Sequence, residues 1–158
     1  MIRFLFMDVD GTLTDGSIII SADGELFKSF NVKDGYGITH ILREKGIVPV
    51  VITGRKSEIL ERRCAELRIT EIYQNVKEKL NFLKEFIDRH GLSEGEIAYI
   101  GDDMNDYDCM EFLYSNKGLT GCPQDAAGKI KLVSSHICSH DGGKGAVREF
   151  IEFLAEQA

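Results

Sequence analysis

The clearest indication of the fold is the stretch FLFMDVDGTLTDG, residues 4–16. Four apolar residues end directly at Asp8, and a second aspartate, Asp10, follows two positions later, just before a glycine. A short apolar run that stops at a turn is typical of a buried parallel strand. The stretch therefore predicts a strand that carries two carboxylates at its end.

Two further apolar runs have the same form. Residues 47–52 stop at Thr53, and residues 97–100 stop at Gly101. Segments with apolar residues at helical spacing separate the runs. Strands and helices in alternation indicate an α/β fold with a doubly wound parallel sheet.

Polar residues follow each run, at the edge where the carboxyl ends of parallel strands form a ligand crevice. The residues expected there are Thr53, Gly54 and six carboxylates, namely Asp8, Asp10, Asp102, Asp103, Asp106 and Asp108. Like charges that lie close together cannot all stay ionised without a counter-charge. Mg²⁺ is the cation that best fits carboxylate oxygens beside a phosphate.

A phosphate ester fits the same crevice. Thr53 offers a hydroxyl, the amides around Gly54 and the helix start behind them favour an anion, and Lys79 adds a point charge. Asp8 could then attack phosphorus, and Asp10 could protonate the leaving alcohol. These residues predict phosphoryl transfer through an aspartyl-phosphate.

Each motif also has a plainer interpretation. DVDGT alone could be a hairpin turn, and GDDMND (101–106) could be the acidic first turn of a helix. Lys79, Arg55 and Arg63 could be solvated surface residues. The occurrence of the motifs at successive strand ends favours the catalytic interpretation.

The composition bounds the class of protein. The 158 residues are 43% apolar and 28% charged with a net charge of −7, which fits one globular domain over 1–158. An acidic chain argues against nucleic acid or an anionic membrane as a partner. The four cysteines form no C-x-x-C pair, and no segment reads as a signal peptide or a membrane span, so we expect a cytoplasmic protein.

Residues 17–33 predict a β-hairpin around the turn 22–25, and Asp34 is expected to N-cap the helix that follows. Apolar residues lie on both faces of this hairpin: Ile18, Ile19, Ile20, Leu26, Phe27 and Phe30. The domain can cover only one face, so we expect neighbouring subunits to cover the other. A hairpin folded wholly on its own domain is the alternative.

With these motifs the chain resembles the haloacid dehalogenase superfamily of phosphotransferases. DVDGT resembles its first motif, ITG (52–54) the threonine motif, Lys79 the lysine motif and GDDMND the acidic motif. Closer still, FNVKDGYGI (30–38) and GGKGAVRE (142–149) resemble the small capless branch of 3-deoxy-D-manno-octulosonate 8-phosphate phosphatases. The resemblance implies a Rossmann-like fold with a small β-hairpin insertion and no large cap domain.

The resemblance also implies roles for single residues. Asp8 would be the nucleophile and Asp10 the acid/base, with Mg²⁺ held by Asp8, the Asp10 carbonyl and Asp102. The sugar acid would meet Asn31, Lys33, Asp34, Gly35, Arg55, Arg63 and Asn105. A homotetramer built through the hairpin would let adjacent subunits substitute for a cap, and the loop near Lys144 would close over an active site.

The predicted function is a Mg²⁺-dependent phosphomonoesterase that acts on 3-deoxy-D-manno-octulosonate 8-phosphate. Thr39 stands where members of this branch carry an arginine, whereas Arg55 stands where the branch that acts on nine-carbon acids carries an acidic residue. One alternative is a phosphatase of 2-keto-3-deoxynononate 9-phosphate. Another is a non-catalytic binding or oligomerisation module related to domains of sugar-nucleotide synthetases, against which the intact pair of Asp8 and Asp10 argues.

Overall fold

A computed structural model describes residues 1–157 of the chain. The strands are β1 Phe4–Met7, β2 Ile19–Ser21, β3 Gly24–Phe27, β4 Val48–Ile52, β5 Glu71–Tyr73, β6 Ile97–Ile100, β7 Leu119–Cys122 and β8 His136–Ile137. The helices are α1 Val32–Tyr36, α2 Arg43–Lys45, α3 Glu58–Glu66, α4 Lys79–His90, α5 Met104–Ser115, α6 Gly128–Leu132 and α7 Ala146–Glu156. A π-helical segment, Gly37–Leu42, joins α1 to α2, a kinked turn, Val9–Leu13, follows β1, and a 3₁₀ turn, Glu94–Glu96, precedes β6.

Within these residues, six strands form a parallel sheet in the order β5-β4-β1-β6-β7-β8. The chain runs outward from β1 through β4 to β5, and then outward on the other side from β6 to β8. The switch between the two directions lies between β1 and β6, which are paired in register from Phe4 opposite Ile97 to Met7 opposite Ile100. The predicted doubly wound sheet is confirmed, and its switch point is the expected ligand crevice.

Helices cover both faces of the sheet, which explains why its central strands are apolar without alternation. In β1, Leu5 and Met7 point into the core shared with α3 and α7, whereas Phe6 points into the core shared with α4 and α5. All three side chains are completely buried. The carboxyl end of β1 is therefore fixed from both sides.

The hairpin forms its own two-stranded antiparallel sheet, as the sequence predicted, with Ser21 opposite Gly24. It ends earlier than residue 33, because Asn31 already N-caps α1 and accepts a hydrogen bond from the Lys33 N–H at 2.8 Å. The expectation that Asp34 caps this helix is therefore wrong. Asp34 lies inside α1 and accepts instead from the Arg148 N–H, 2.9 Å away in the first turn of α7.

The chain ends on the amphipathic helix that the sequence predicted. The side chains of Val147, Phe150, Ile151 and Leu154 in α7 are buried against the sheet and the helical segment 32–45. The glycine-rich loop before α7 packs on the turn after β1, where the Gly143 N–H donates to the Thr12 carbonyl at 3.1 Å. None of the helices in residues 1–157 has the length and apolar character needed to cross a membrane.

Candidate active site

A buried lysine joins two aspartates at the switch point. The Lys79 ammonium, at the start of α4, lies 2.8 Å from Oδ1 of Asp8 and 2.8 Å from Oδ1 of Asp106, and these side chains are at most 4% exposed. Asp106 also accepts from the Tyr99 hydroxyl at 2.7 Å and from the Asp102 N–H at 3.2 Å. Asp106 thus accepts three hydrogen bonds, which connect it to Lys79, Tyr99 and the backbone of Asp102.

The charges of this cluster are not balanced by protein groups alone. Burial and the neighbouring Asp106 charge raise the pKa of Asp8 well above its usual range, although Lys79 acts in the opposite direction. Burial, followed by Asp106, raises the pKa of Asp102 to about 6. Within residues 1–157 the one ammonium group that binds this cluster is that of Lys79, which contacts Asp8 and Asp106 but not Asp102. An excess of two negative charges therefore remains when all three carboxylates are ionised, as expected where a divalent cation binds.

The donor set fits Mg²⁺. Asp8, Asp102 and Asp106 each place a carboxylate oxygen within 4.8 Å of the others, and hard oxygen ligands are those that Mg²⁺ prefers. Gly11 makes room for Asp102, because a Cβ on Gly11 would lie 2.0 Å from Asp102 Oδ2. Since the hydrogen bonds of Asp106 are already satisfied, Asp8 and Asp102 are the side chains that would hold the ion.

Three of the six expected carboxylates lie outside the cluster of Asp8, Asp102 and Asp106: Asp10, which binds Lys28, and Asp103 and Asp108. Asp103 N-caps α5 and accepts from the Met104 N–H at 2.8 Å, and its side chain faces solvent. Asp108 is exposed on the next turn of α5. The expectation of six converging carboxylates was wrong for Asp103 and Asp108, because β6 ends at Ile100 and α5, which begins at Met104, turns successive side chains to different sides.

Asp10 is held by the hairpin, which the sequence did not indicate. The Lys28 ammonium, just after β3, lies 2.7 Å from Oδ1 of Asp10 and 2.8 Å from Oε1 of Glu25. Burial opposes the charged form of Lys28, but the hydrogen bonds to the two carboxylates outweigh it and raise the pKa of the lysine. Lys28 thus belongs to the site, although no motif or spacing marks it.

The phosphate-binding residues predicted after β4 lie beside β1. Thr53 is buried, its N–H donates to the Tyr73 carbonyl at 3.0 Å, and its hydroxyl accepts from the Arg55 N–H at 3.4 Å. The Gly54 carbonyl accepts a hydrogen bond from the Lys77 ammonium, a contact that the sequence did not predict. The loop after β4 thus offers a buried hydroxyl at Thr53, and its Gly54 carbonyl is bound by a lysine that lies before α4.

Four of the seven predicted substrate residues line one pocket: Asn31, Asp34, Gly35 and Arg63. Gly35 lets the guanidinium approach, since a Cβ there would lie 2.7 Å from Nη2 of Arg63. Oδ2 of Asp34 and Nε of Arg63 are buried without a hydrogen-bond partner within residues 1–157. Burial raises the pKa of Asp34 to about 6. Two buried polar groups without partners are unusual in a folded protein and single out Asp34 and Arg63 within this small pocket.

The other predicted substrate residues are exposed and lie outside that pocket: Lys33, Arg55 and Asn105. Thr39 is engaged within its own helix, where its hydroxyl donates to the Gly35 carbonyl at 2.9 Å. Thr39 therefore supports the helix backbone at the position where the resemblance leads one to expect an arginine.

Glu149 ties the last loop to α7. Its carboxylate lies 2.7 Å from Nδ1 of His140 and 3.3 Å from Nε2 of His136, and it also accepts from the Ser139 N–H at 2.9 Å. Burial alone would raise the pKa of Glu149, but these hydrogen bonds lower it to about 2. Cys138, between the two histidines, is buried and its thiol donates to the Ala146 carbonyl at 3.3 Å.

Known proteins share this sequence and this fold. The chain is 39% identical to the 3-deoxy-D-manno-octulosonate 8-phosphate phosphatase KdsC of Escherichia coli (strain K12) over 153 residues, 97% of this chain and 79% of that protein. The KdsC protein of Yersinia pestis is 37% identical over the same share of each chain. No family model matches the chain.

Solved structures agree with these relatives. A cobalt-bound deoxy-D-mannose-octulosonate 8-phosphate phosphatase from Haemophilus influenzae has a TM-score of 0.89 and 37% identity, covering 98% of this chain and 88% of that one. The Moraxella catarrhalis phosphatase in complex with a magnesium ion, a phosphate ion and a KDO molecule has a TM-score of 0.90 and 36% identity, covering 98% and 86%. The chain therefore belongs to the family of 3-deoxy-D-manno-octulosonate 8-phosphate phosphatases, within the haloacid dehalogenase superfamily.

Proposed function

We propose that the protein is a Mg²⁺-dependent phosphomonoesterase that hydrolyses 3-deoxy-D-manno-octulosonate 8-phosphate to the free sugar acid and phosphate. The observation that carries the proposal is that Asp8, Asp102 and Asp106 place carboxylate oxygens within 4.8 Å of one another at the switch point between β1 and β6, with Asp10 two residues after Asp8. The family to which the chain belongs supports the choice of substrate. The substrate would be anionic at both ends, and the site offers Lys79 and Arg63 at two separate places.

In the first step, a carboxylate oxygen of Asp8 attacks phosphorus and forms an aspartyl-phosphate. The bond between phosphorus and the sugar oxygen breaks, and the electron pair stays on that oxygen. Asp10 gives its proton to the oxygen, so that the sugar acid leaves as an alcohol rather than as an alkoxide. Lys79 orients Asp8 for this attack because it holds one of the two carboxylate oxygens.

In the second step, Asp10 takes a proton from water, and the resulting hydroxide attacks phosphorus of the aspartyl-phosphate. The bond between phosphorus and the Asp8 oxygen breaks, which restores the carboxylate and releases phosphate. Asp10 thus ends the cycle with the proton that it gave away in the first step.

Asp8, Asp102 and the main-chain carbonyl of Asp10 would hold Mg²⁺, which, when bound, offsets the negative charge of the phosphoryl group and the carboxylates. Thr53 and the amides around Gly54 would bind the phosphoryl oxygens, together with Lys79. The sugar acid would extend toward Asn31, Lys33, Asp34, Gly35, Arg55, Arg63 and Asn105.

The test is phosphate release from the eight-carbon ester and from 2-keto-3-deoxynononate 9-phosphate in parallel, with and without Mg²⁺. Asp8→Asn is the blank, because it removes the nucleophile but keeps the shape of the side chain. We expect kcat/KM to favour the eight-carbon ester by 10-fold or more, about 1.4 kcal/mol of discrimination. Preference for the nine-carbon ester would overturn the choice of substrate, and no release above the blank would point to a binding module.

The proposal includes a homotetramer built through the hairpin, from a single domain over 1–158. Four apolar side chains of the hairpin are 45–65% exposed in the isolated chain: Ile18, Ile20, Leu26 and Phe27. Four large apolar side chains exposed on one short hairpin favour burial between subunits. Light scattering after size exclusion should give four times the monomer mass, and Ile20→Lys with Phe27→Lys should reduce it; a wild-type monomer would refute the assembly.

The proposed location is the cytoplasm. Its support is that Cys64, Cys109, Cys122 and Cys138 are all free and buried thiols, as is usual for proteins of a reducing compartment. Cell fractionation with an antibody to the protein would test the location.

A further inference from the structure

Lys28 is buried in a way that is unusual for a lysine on a hairpin. Its side chain is 4% exposed, whereas the neighbouring hairpin residues Leu26 and Phe27 are more than half exposed. Lysine is almost never fully buried unless it is paired. Lys28 has two partners, Oδ1 of Asp10 at 2.7 Å and Oε1 of Glu25 at 2.8 Å. The charged side chain of Lys28 is therefore buried in the site, whereas the apolar side chains of Leu26 and Phe27 lie outside it and are exposed.

Glu25 connects the same lysine to the neighbouring strand end. The Ser57 hydroxyl donates a hydrogen bond to Oε2 of Glu25. Ser57 in turn N-caps α3, where it accepts from the Leu60 N–H at 3.2 Å. The polar contacts thus run from the turn after β1, through Lys28 and Glu25, to the helix that follows β4. An isolated two-stranded hairpin is marginal in water, so these anchors matter for its position.

Asp10 needs such a partner because its own surroundings do not fix it. It lies in the kinked turn after β1, with non-helical dihedral angles of φ −74° and ψ 114°, and its side chain is 20% exposed. A carboxylate in that position can rotate about its side-chain bonds unless a neighbour holds one oxygen. Lys28 holds Oδ1.

We propose that Lys28 is a positioning residue for the acid/base: by holding one oxygen of Asp10, it directs the other toward the oxygen of the leaving alcohol. The inference rests on the proposed function, in which Asp10 exchanges that proton. Lys28 does not itself meet the substrate, and Glu25 and Ser57 keep the lysine in place.

The chemistry supplies a readout that separates positioning from a merely structural effect. A sugar alkoxide is a poor leaving group and needs the proton from Asp10, whereas 4-nitrophenolate leaves without it. The parameter kcat/KM covers the steps up to loss of the alcohol. A displaced Asp10 should therefore reduce kcat/KM for the sugar ester much more than for 4-nitrophenyl phosphate, whereas a damaged fold should reduce both alike.

The experiment compares Lys28→Met, Lys28→Arg and the matched surface variant Lys45→Met with the wild type on both esters. General acid/base catalysis contributes about 10²–10⁴-fold, and we expect Lys28→Met to lose roughly 10- to 100-fold of it on the sugar ester and less than about 3-fold on the nitrophenyl ester. Lys28→Arg keeps the charge and should recover most of the loss. Lys45 is exposed on α2, and its variant should behave as wild type.

Thermal unfolding of each variant shows whether it is folded at the assay temperature. Equal losses of Lys28→Met on both esters, or wild-type kinetics in this variant, would refute the inference even if Asp10→Asn is inactive. If Lys28→Met does not fold, the Lys28→Arg variant decides alone, and a loss equal on both esters in that variant refutes the inference. If the wild type cleaves neither ester, the proposed function itself fails, and that outcome differs from all of the others.

Discussion

The ammonium group of Lys79 lies 2.8 Å from Oδ1 of Asp8, although the two residues are 71 positions apart in the chain. Both side chains are buried, and the same ammonium group binds Asp106. The lysine therefore favours the ionised form of the proposed nucleophile and fixes its orientation, in addition to any contact with phosphate.

Replacing Lys79 should destabilise the protein strongly. Lys79→Met leaves Asp8 and Asp106 buried without a counter-charge, and we expect a loss of about 3–5 kcal/mol in the free energy of unfolding at pH 7. Because burial and Asp106 already raise the pKa of Asp8, a lower pH should protonate Asp8 in the variant and recover part of the loss. Urea unfolding at pH 7 and pH 5 measures both effects.

The matched control is Lys84→Met, on the exposed side of the same helix, where the lysine lies over the Phe112 ring at 4.9 Å. Its loss should stay below about 1 kcal/mol. Equal losses in the two variants would show that the buried pairs do not dominate.

A methyl group at Gly11 should weaken metal binding. A Cβ there would lie 2.0 Å from Asp102 Oδ2, so Gly11→Ala must displace this carboxylate. We expect a loss of Mg²⁺ affinity of about 10-fold or more, in the range found when groups around a metal site are disturbed. Isothermal titration with Mg²⁺ measures it directly.

Gly24→Ala is the control for backbone strain. Gly24 also has a positive φ, +119° against +93° at Gly11, but a Cβ there meets nothing within 4 Å. Its Mg²⁺ affinity should be unchanged. A similar decrease in both variants would assign the effect to backbone strain rather than to Asp102.

The buried carboxylate of Asp34, when ionised at neutral pH, should lower the free energy of unfolding. Burial raises its pKa from 3.8 to about 6, so the folded state binds a proton more readily than the unfolded state between these values. The free energy of unfolding should therefore rise as pH falls from about 6 to about 4. Asp34→Asn keeps an oxygen for the Arg148 N–H and should be more stable than wild type at pH 7 by up to about 3 kcal/mol.

The same variant should lose activity, because Asp34 lines the pocket proposed for the sugar acid. Gain of stability with loss of activity is the pattern of a residue kept for function. Urea unfolding from pH 4 to pH 7, combined with phosphate release, tests both parts. A variant that is less stable at every pH would show that the buried charge is compensated.

Glu149 should stabilise the protein at neutral pH. Its hydrogen bonds to His140 and Ser139 lower its pKa from 4.5 to about 2, so its contribution is complete above about pH 4.5 and is lost as pH falls toward 2. Wild type should exceed Glu149→Gln by at most about 3 kcal/mol at pH 6. This difference should shrink between pH 4.5 and pH 2 in denaturant titrations; a constant difference would contradict the assignment.

The two edge strands, β5 and β8, were not predicted from the sequence because their hydrophobic pattern is weak. The edge strand β5 has three half-buried residues, and β8 has two residues at the other edge of the sheet. Edge strands lack the continuous apolar run that marked β1, β4 and β6, since one side of each meets solvent or a loop. The hairpin, by contrast, was predicted because its apolar residues flank a turn at Gly24.

The central strands and the polar residues at their ends could be predicted from local sequence patterns. An apolar run followed by a polar turn is a local pattern, and it was sufficient to place Asp8, Asp10, Thr53 and Asp102 at one edge of the sheet. The pairing of charged side chains with one another could not be predicted in this way and follows from the fold. Lys28 meets Asp10, Lys79 meets Asp8 and Asp106, and Asp34 accepts from a helix 114 positions away. The physical reason is that periodicity records whether a side chain is buried, whereas its partner depends on how separate elements pack through space.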